Sequence, residues 1–360
     1  MIDEHTHRDA TRDFHIKRKS HPVKPFVPVH QQGGATFTTF DPQASIGTAP
    51  FSINPGGVIT GKYMTSTAGS GAIHGFVRAS DGSISTFDAP VAFTDINPYS
   101  INPAGAITGN YLDSTQTWHG FVRARDGTLA MFDPPGAATG GYLGTEPTSI
   151  NPAGKVAGHY ADSGGVWHGF VRAADGTFTT FDAPGAGTGM NQGTFSSAIN
   201  PAGEIAGHYS DSGGVSHGFV RARNGSFTTF DVPGAGTGTS QGTVPITINP
   251  AGIIAGHYFH ADFSAQGFVR TKNGAITTFD PPGGSNTGAL SINPAGVIVG
   301  PYEDANHRIS GFLRAKSGGF TTFDVPGSTM TSPRSINPGQ VVTGWFIDAN
   351  DLQHGFLRTP

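Results

Sequence analysis

From residue 35 to the end of the chain, apolar and polar residues alternate in short runs, broken by clusters of Gly, Asn, Asp and Pro. Alternation at period 2 predicts strands with one buried face, and breaks of that composition predict turns. The pattern itself recurs. Ile-Asn-Pro begins at Ile53, Ile101, Ile150, Ile199, Ile248, Ile292 and Ile336, at spacings of 48, 49, 49, 49, 44 and 44 residues. A Phe-Asp pair ends at Asp41, Asp88, Asp133, Asp182, Asp231, Asp280 and Asp324. A third marker, HGFVR or a variant of it, ends at Arg78, Arg123, Arg172, Arg221, Arg270, Arg314 and Arg358. Self-similarity at such a period points to a repeat architecture.

One unit parses as four strands, a to d. Strand a ends at Ile199, and Asn200-Pro201-Ala202-Gly203 has the chemistry of a type I turn followed by a glycine bulge. Strand b runs from Glu204 to Asp211, Ser212-Gly213-Gly214 turns the chain, and strand c carries His217 to Arg221. Asn224-Gly225 then leads into strand d, Phe227 to Asp231. Four antiparallel strands in such a unit match one propeller blade. The array opens with a lone strand d, Phe37 to Asp41, and finishes on a strand c, His354 to Arg358. The expected fold is therefore all-β: a seven-bladed β-propeller of four-stranded antiparallel blades over residues 35–360, closed by the N-terminal strand completing the last blade.

Composition agrees. Gly contributes 54 residues and Pro 26, Leu only seven, and 21 of the 25 acidic residues are Asp. Helix formers are scarce and turn formers abundant. The 26 Phe residues supply a core. Residues 1–34 follow no strand or helix period and hold five of the 15 His residues. They read as a polar, His-rich tail, disordered or draped over the domain. His5 and His7 offer at most a weak metal site, and Lys17 to Lys19 form a short basic run.

The markers resemble the extracellular HAF repeat family, named for its His-Ala-Phe motif. Gly replaces Ala in every copy here, and Gln266 and Ser310 stand in place of His in two units. The resemblance covers residues 35–360. It implies an extracytoplasmic setting and transfers no catalytic residue.

A net charge of −4 gives no electrostatic footprint for nucleic acid. The chain has no Cys, so disulfides, thiolate metal sites and cysteine nucleophiles are excluded. No apolar run is long enough to span a membrane, and the N-terminus has no apolar segment of the secretory type. The chain is expected to act as a monomer, and no motif in it points to a particular cofactor.

Residues present in every unit are expected to be scaffold. Registering the c–d hairpin on Asn224-Gly225 places Phe219 opposite Phe230, with Arg221 on the same face, and lets the repeated Arg and Asp meet between blades. A turn centred on Ser212-Gly213 places His208 opposite His217 and, by the same count, His159 opposite His168. Cross-strand imidazoles at that spacing can share a metal ion, so His159, His168, His208, His217 and His257 are weak metal candidates. The segment Gly238-Thr239-Ser240-Gln241-Gly242 matches a nucleophile-elbow pattern but is expected in a loop between strands, without the helix that motif needs. Asn224-Gly225-Ser226 is a formal glycosylation sequon placed in a tight hairpin.

Strand direction sorts the connections. The a–b and c–d turns share one face and are nearly uniform, whereas the b–c and d–a loops share the other and vary. Three d–a loops, 135–148, 184–197 and 233–247, are about five residues longer than the rest. They bring Tyr142, Glu146, Gln192 and Gln241 to the variable face, near Trp118 and Trp167 at the start of strand c. Loops on a rigid scaffold are the usual place for binding. The expected function is recognition of a glycan or protein ligand there. A polysaccharide lyase or hydrolase, with His159, His208, His257 and Glu146 as its acid–base groups, is the alternative.

Overall fold

The computed structural model describes residues 29–32, 34–65, 72–90 and 95–360. His5, His7 and Lys17 to Lys19 lie outside them. Every regular element among the described residues is a strand.

Unit 4 shows the plan. Strands a (Gly193–Ile199), b (Ile205–Ser210), c (Ser216–Arg221) and d (Phe227–Phe230) pair in that order, all antiparallel. Units 1 to 6 repeat it, with strand a of unit 6 cut to Ser291–Ile292. In unit 7, Ser328–Ile336, Val342–Asp348 and Gln353–Thr359 are followed by no strand d of their own. Ala35–Phe40 pairs antiparallel with Gln353–Thr359 instead, with Thr36 opposite Thr359 and Phe40 opposite Gly355. Val29–Gln32 adds a further strand outside Ala35–Phe40. That short piece of the expected tail is therefore strand, because the open edge of Ala35–Phe40 offers unpaired backbone groups.

All three turns within a unit use the same four-residue device. The N–H of Gly203 donates to Asn200, that of Gly214 to Asp211, and that of Gly225 to Ala222. Each glycine has positive φ, at 84°, 79° and 92°. This is a type I turn closed by a glycine bulge, and the extra residue shifts register by one against a two-residue turn. The expected cross-strand pairs are corrected accordingly. Phe230 lies opposite Gly218, and Phe219 opposite Thr229. His217 faces Tyr209 rather than His208, and His168 faces Tyr160 rather than His159.

The corrected register explains the Gly of the HGF motif. The Phe230 ring lies on Gly218 so closely that an added Cβ would sit 2.8 Å from it, and Phe181 crowds Gly169 at 2.3 Å. An Ala in place of either glycine would not fit under its ring unless the ring moved.

The core lies between successive units. Phe219 and Ile205, both fully buried, pack with Ala157 and Ala183 of unit 3. Arg221 stacks its guanidinium 4.5 Å above Phe181 of the preceding unit. All seven marker arginines do the same, from Arg78 on Phe40 to Arg358 on Phe323. An Arg–Asp pairing between units does not form, because in the shifted register Asp231 meets His217 of its own unit.

Asparagine side chains tie the units together at the a–b turns. Asn200 accepts the N–H of Glu204 on Oδ1 and donates from Nδ2 to the carbonyl of Asn249 in the next unit. The same donation runs Asn54 to Asn102, Asn102 to Asn151, Asn151 to Asn200, Asn249 to Asn293 and Asn293 to Asn337. Asn337 in turn donates to the carbonyl of Asn54 at 3.5 Å. Strand a of each unit touches strand a of the next, and that of unit 7 touches that of unit 1.

Candidate functional site

In units 2, 3, 4 and 7 the variable end is organised by a His held between two carboxylates. His119 on strand c contacts Asp133, at the end of strand d, at 2.6 Å through Nδ1, and Asp113 of the b–c turn at 3.3 Å through Nε2. Tyr111 stacks on its ring at 5.3 Å. Asp133 also accepts from the Thr145 hydroxyl of unit 3 at 2.6 Å, so one carboxylate joins two units. His168 and His217 repeat the arrangement with Asp182 and Asp162, and with Asp231 and Asp211. Burial alone would lower the His119 pKa, but the bonds to Asp133 and Asp113 outweigh it and hold it above its ordinary value. Burial would raise Asp113, yet Thr117 N–H, Thr115 and His119 pull it down to about 2. Tyr111 is pushed up to about 12 by burial and then by Asp133 and Asp113. These histidines are scaffold, and none faces a second imidazole. Among the described residues no three His, Cys, Asp or Glu side chains are grouped to hold a metal ion.

His159, His208 and His257 stand on strand b one position before Tyr160, Tyr209 and Tyr258, and so on the opposite face of the strand. His159 touches Glu146 of its own strand a, Nε2 to Oε2 at 3.3 Å, and its Nδ1 lies 3.3 Å from the Ser196 carbonyl of unit 4. Trp167 and Phe195 meet its ring edge-on at 5.2 and 5.3 Å. His208 stacks on Phe195 at 4.8 Å and 8°. His257 is buried, with Phe259 edge-on at 5.2 Å. Strand b carries Lys62, Asn110, Pro301 and Trp345 at the same level in units 1, 2, 6 and 7. The units are least alike along this inner layer. Six of the inner strands also carry a β-bulge, at Phe51, Tyr99, Thr148, Ser197, Ile246 and Arg334, where the side chains differ in every copy. Bulges concentrate beside active sites because they re-aim a side chain.

The six residues expected on the loop face separate into three groups. Glu146 joins His159, and Trp167, half-buried, fills the space between units 3 and 4 against Phe195 at 5.5 Å. Gln192 and Gln241 brace their loops. Gln192 accepts from Gly189 N–H and donates to the Ser212 carbonyl, while buried Gln241 accepts from Gly238 N–H and donates to the Ala261 carbonyl. A buried amide has to satisfy its own hydrogen bonds, and the glycine-rich loops supply the partners. Trp118 is half-buried and Tyr142 is 56% exposed. Tyr142 sits at a loop tip with φ of 60°, its N–H bonded to the Gln116 carbonyl.

Sequence reasoning missed Phe263, which is 59% exposed in the b–c turn of unit 5 with φ of 64°, and Met190, 74% exposed beside the tip of the second long loop. Position in the turn was the available signal: Phe263 stands where units 3 and 4 have Gly165 and Gly214. Ser240 occupies the same tip as Tyr142, with φ of 63°, and is followed by strand Gly242–Ile248 rather than a helix, so it is no nucleophile elbow. Asn224 spends its side-chain oxygen on Ser226 within the hairpin.

No family model and no curated protein matches the chain. Among solved structures it is similar to a catalytically inactive histidine-to-alanine form of virginiamycin B lyase from Staphylococcus aureus with quinupristin, at 13% identity and a TM-score of 0.58, covering 91% of this chain and 99% of that one. This is a propeller-like, all-β protein. A streptogramin B lyase structure gives 12% identity and a TM-score of 0.57, with 89% and 97% covered. An acylaminoacyl peptidase from Pyrococcus horikoshii gives 7% and 0.55, and there the chain spans about half of the other protein, 52%, while 88% of this chain is covered. At such identities the likeness extends to the fold.

Proposed function

We propose that this chain is a closed seven-bladed propeller of the HAF-repeat type that binds an uncharged glycan on the face of its b–c and d–a loops. Closure is supported by three contacts that treat unit 7 as the neighbour of unit 1. Asn337 donates to Asn54, Ser335 Oγ accepts from Ile53 N–H, and Gln353 pairs with Gly47 as Trp167 does with Gly193.

The observation that carries the binding reading is the pair of exposed aromatics in left-handed backbone, Tyr142 and Phe263. A bulky residue at positive φ costs of order 1 to 3 kcal/mol. Equivalent tips in other units use Asn191 and Ser240, or Gly165 and Gly214, so the conformation does not call for an aromatic. Neither ring recovers the cost by burial. A ring held out on a rigid turn is a platform for the apolar face of a sugar. The acidic residues crowding this end favour an uncharged sugar over a polyuronate.

Changing both Tyr142 and Phe263 to Ala should abolish most binding on a neutral glycan array with the melting transition retained. Undiminished glycan binding would remove the reading, and capture of a protein instead would change the ligand class.

One observation favours a second reading, that of a lyase or hydrolase. His159 sits with Nε2 3.3 Å from the Glu146 carboxylate and Nδ1 3.3 Å from the Ser196 carbonyl, an imidazole beside a carboxylate as acid–base catalysis uses. Turnover of any glycan bound by the loop face, lost in His159→Gln, would establish it.

A further inference from the structure

The charges of this protein are sorted by face, although they nearly cancel in sum. Outside residues 1–28 the chain carries 21 acidic and 15 basic residues. Only four acids, Asp81, Asp126, Asp175 and Glu204, lie at the a–b and c–d turns. Twelve of the basic residues lie there: the seven stacked arginines with Arg125, Lys155, Arg223, Lys272 and Lys316. The other end holds seventeen acids. The face of uniform turns is thus strongly positive and the loop face strongly negative. Fields of this kind act over the whole surface and steer oppositely charged partners.

The positive face is itself uneven. In units 1, 2 and 3 the c–d turn carries Asp81, Asp126 and Asp175, each accepting the N–H two residues on. In unit 4 Asn224 makes that same bond to Ser226, so the turn works without the charge. Units 5 and 6 have Asn273 and Ser317 at the position. Preceding each of these uncharged residues is an exposed cation: Arg223, Lys272 or Lys316. Their stems lie back over the a–b turns, against Gly203, Gly252 and Gly296, and carry the charges inward across the face. Beneath them Arg221, Arg270 and Arg314 rest on phenylalanine rings rather than on carboxylates. Glu204, 3.5 Å from Lys272, is the one carboxylate in this arc.

We propose that the turn face of units 4 to 6 is a second binding site, distinct from the loop face, for a linear anionic polysaccharide. The arc offers one exposed point charge per unit. Exposed large apolar side chains among the described residues are Met131, Tyr142, Met190 and Phe263, and none of them lies at these turns. Nucleic acid would therefore find no ring on which to stack a base. A membrane would find no apolar residue to insert. A chain of uronates, with one carboxylate on each sugar, asks only for spaced cations.

The test uses the full chain and polygalacturonate at low salt. The wild type binds, more weakly as salt rises, because exposed charges are screened. The triple variant R223Q/K272Q/K316Q loses at least about tenfold in affinity, the equivalent of roughly 1.4 kcal/mol. N224D/N273D/S317D, which keeps every cation and the turn bonds, loses a comparable amount. Arg125→Gln, next to Asp126, changes little. No binding by the wild type, or binding as tight as the wild type's by either triple variant, would overturn the proposal. So would equal affinity for duplex DNA or for anionic lipid vesicles. Tyr142→Ala/Phe263→Ala retains polygalacturonate binding, so failure here is separable from failure of the loop-face reading.

Discussion

The a–b and c–d turns at one end of the strands, and the b–c and d–a loops at the other, are made by the same repeats under different constraints. At the turn face, asparagines bond from unit to unit and each bulge position is filled by glycine except at Gln340. At the loop face the same left-handed positions hold Gln116, Phe263, His307 and Asp351 as well as glycine. The first end is specified by geometry, so its variation is confined to charge. The second tolerates strain and variation in length, and places aromatics where packing does not require them. A repeat protein can in this way carry two surfaces that change independently.

The sharpest way to break the comparison is to undo the body that holds both faces. Deleting residues 1–41 removes Ala35–Phe40, leaves Gln353–Thr359 with an open edge and exposes Phe356. Cooperative urea unfolding should then be lost, whereas deletion of residues 1–28 should leave the transition in place. A next, smaller effect comes from the close approach shared by all units. Gly218→Ala drives a Cβ into the Phe230 ring and should cost about 1–3 kcal/mol, while Gly319→Ala, with open space around it, should be near neutral. Chemical denaturation of the two variants checks the contrast.

Much of this was legible in the sequence and some was not, for physical reasons. Period 2 and the three markers give the four-strand unit, and the lone Phe37 to Asp41 segment announces its partner at the other end. A glycine bulge and a two-residue turn look alike in Asn224-Gly225 and in Ser212-Gly213-Gly214, so each hairpin register differs by one residue from the expected one. That single residue moves His208 away from His217 and brings Asp231 to His217 in place of Arg. Gln192 and Gln241 look in sequence like free amides in long loops, and only the folded loop brings the backbone groups that occupy them. The charged faces were hidden because a net charge sums over both ends.

Two finer predictions sharpen the contrast. Tyr142→Asn should raise stability by about 1 kcal/mol, because Asn tolerates the left-handed region, while weakening glycan binding; a stability loss would mean that the ring packs in the folded state. The smallest effect is on pH dependence. His119 and His354 are raised above the ordinary value of about 6.5, burial opposing the shift and their aspartates, Asp133 with Asp113 and Asp41 with Asp348, producing it. The stability they add is fully present below about pH 6.5 and is lost as pH rises through the raised folded values. The melting temperature should therefore fall over that range, and H119N/H354N should flatten the slope.

The division of binding between faces is tested most directly by a crossed measurement. Wild type, Tyr142→Ala/Phe263→Ala and R223Q/K272Q/K316Q are each titrated with the best neutral glycan from the array and with polygalacturonate. The account predicts that the aromatic variant loses only the neutral glycan and the charge variant only the polyanion. If either variant loses both ligands with its fold intact, the two faces serve one site and the account is wrong.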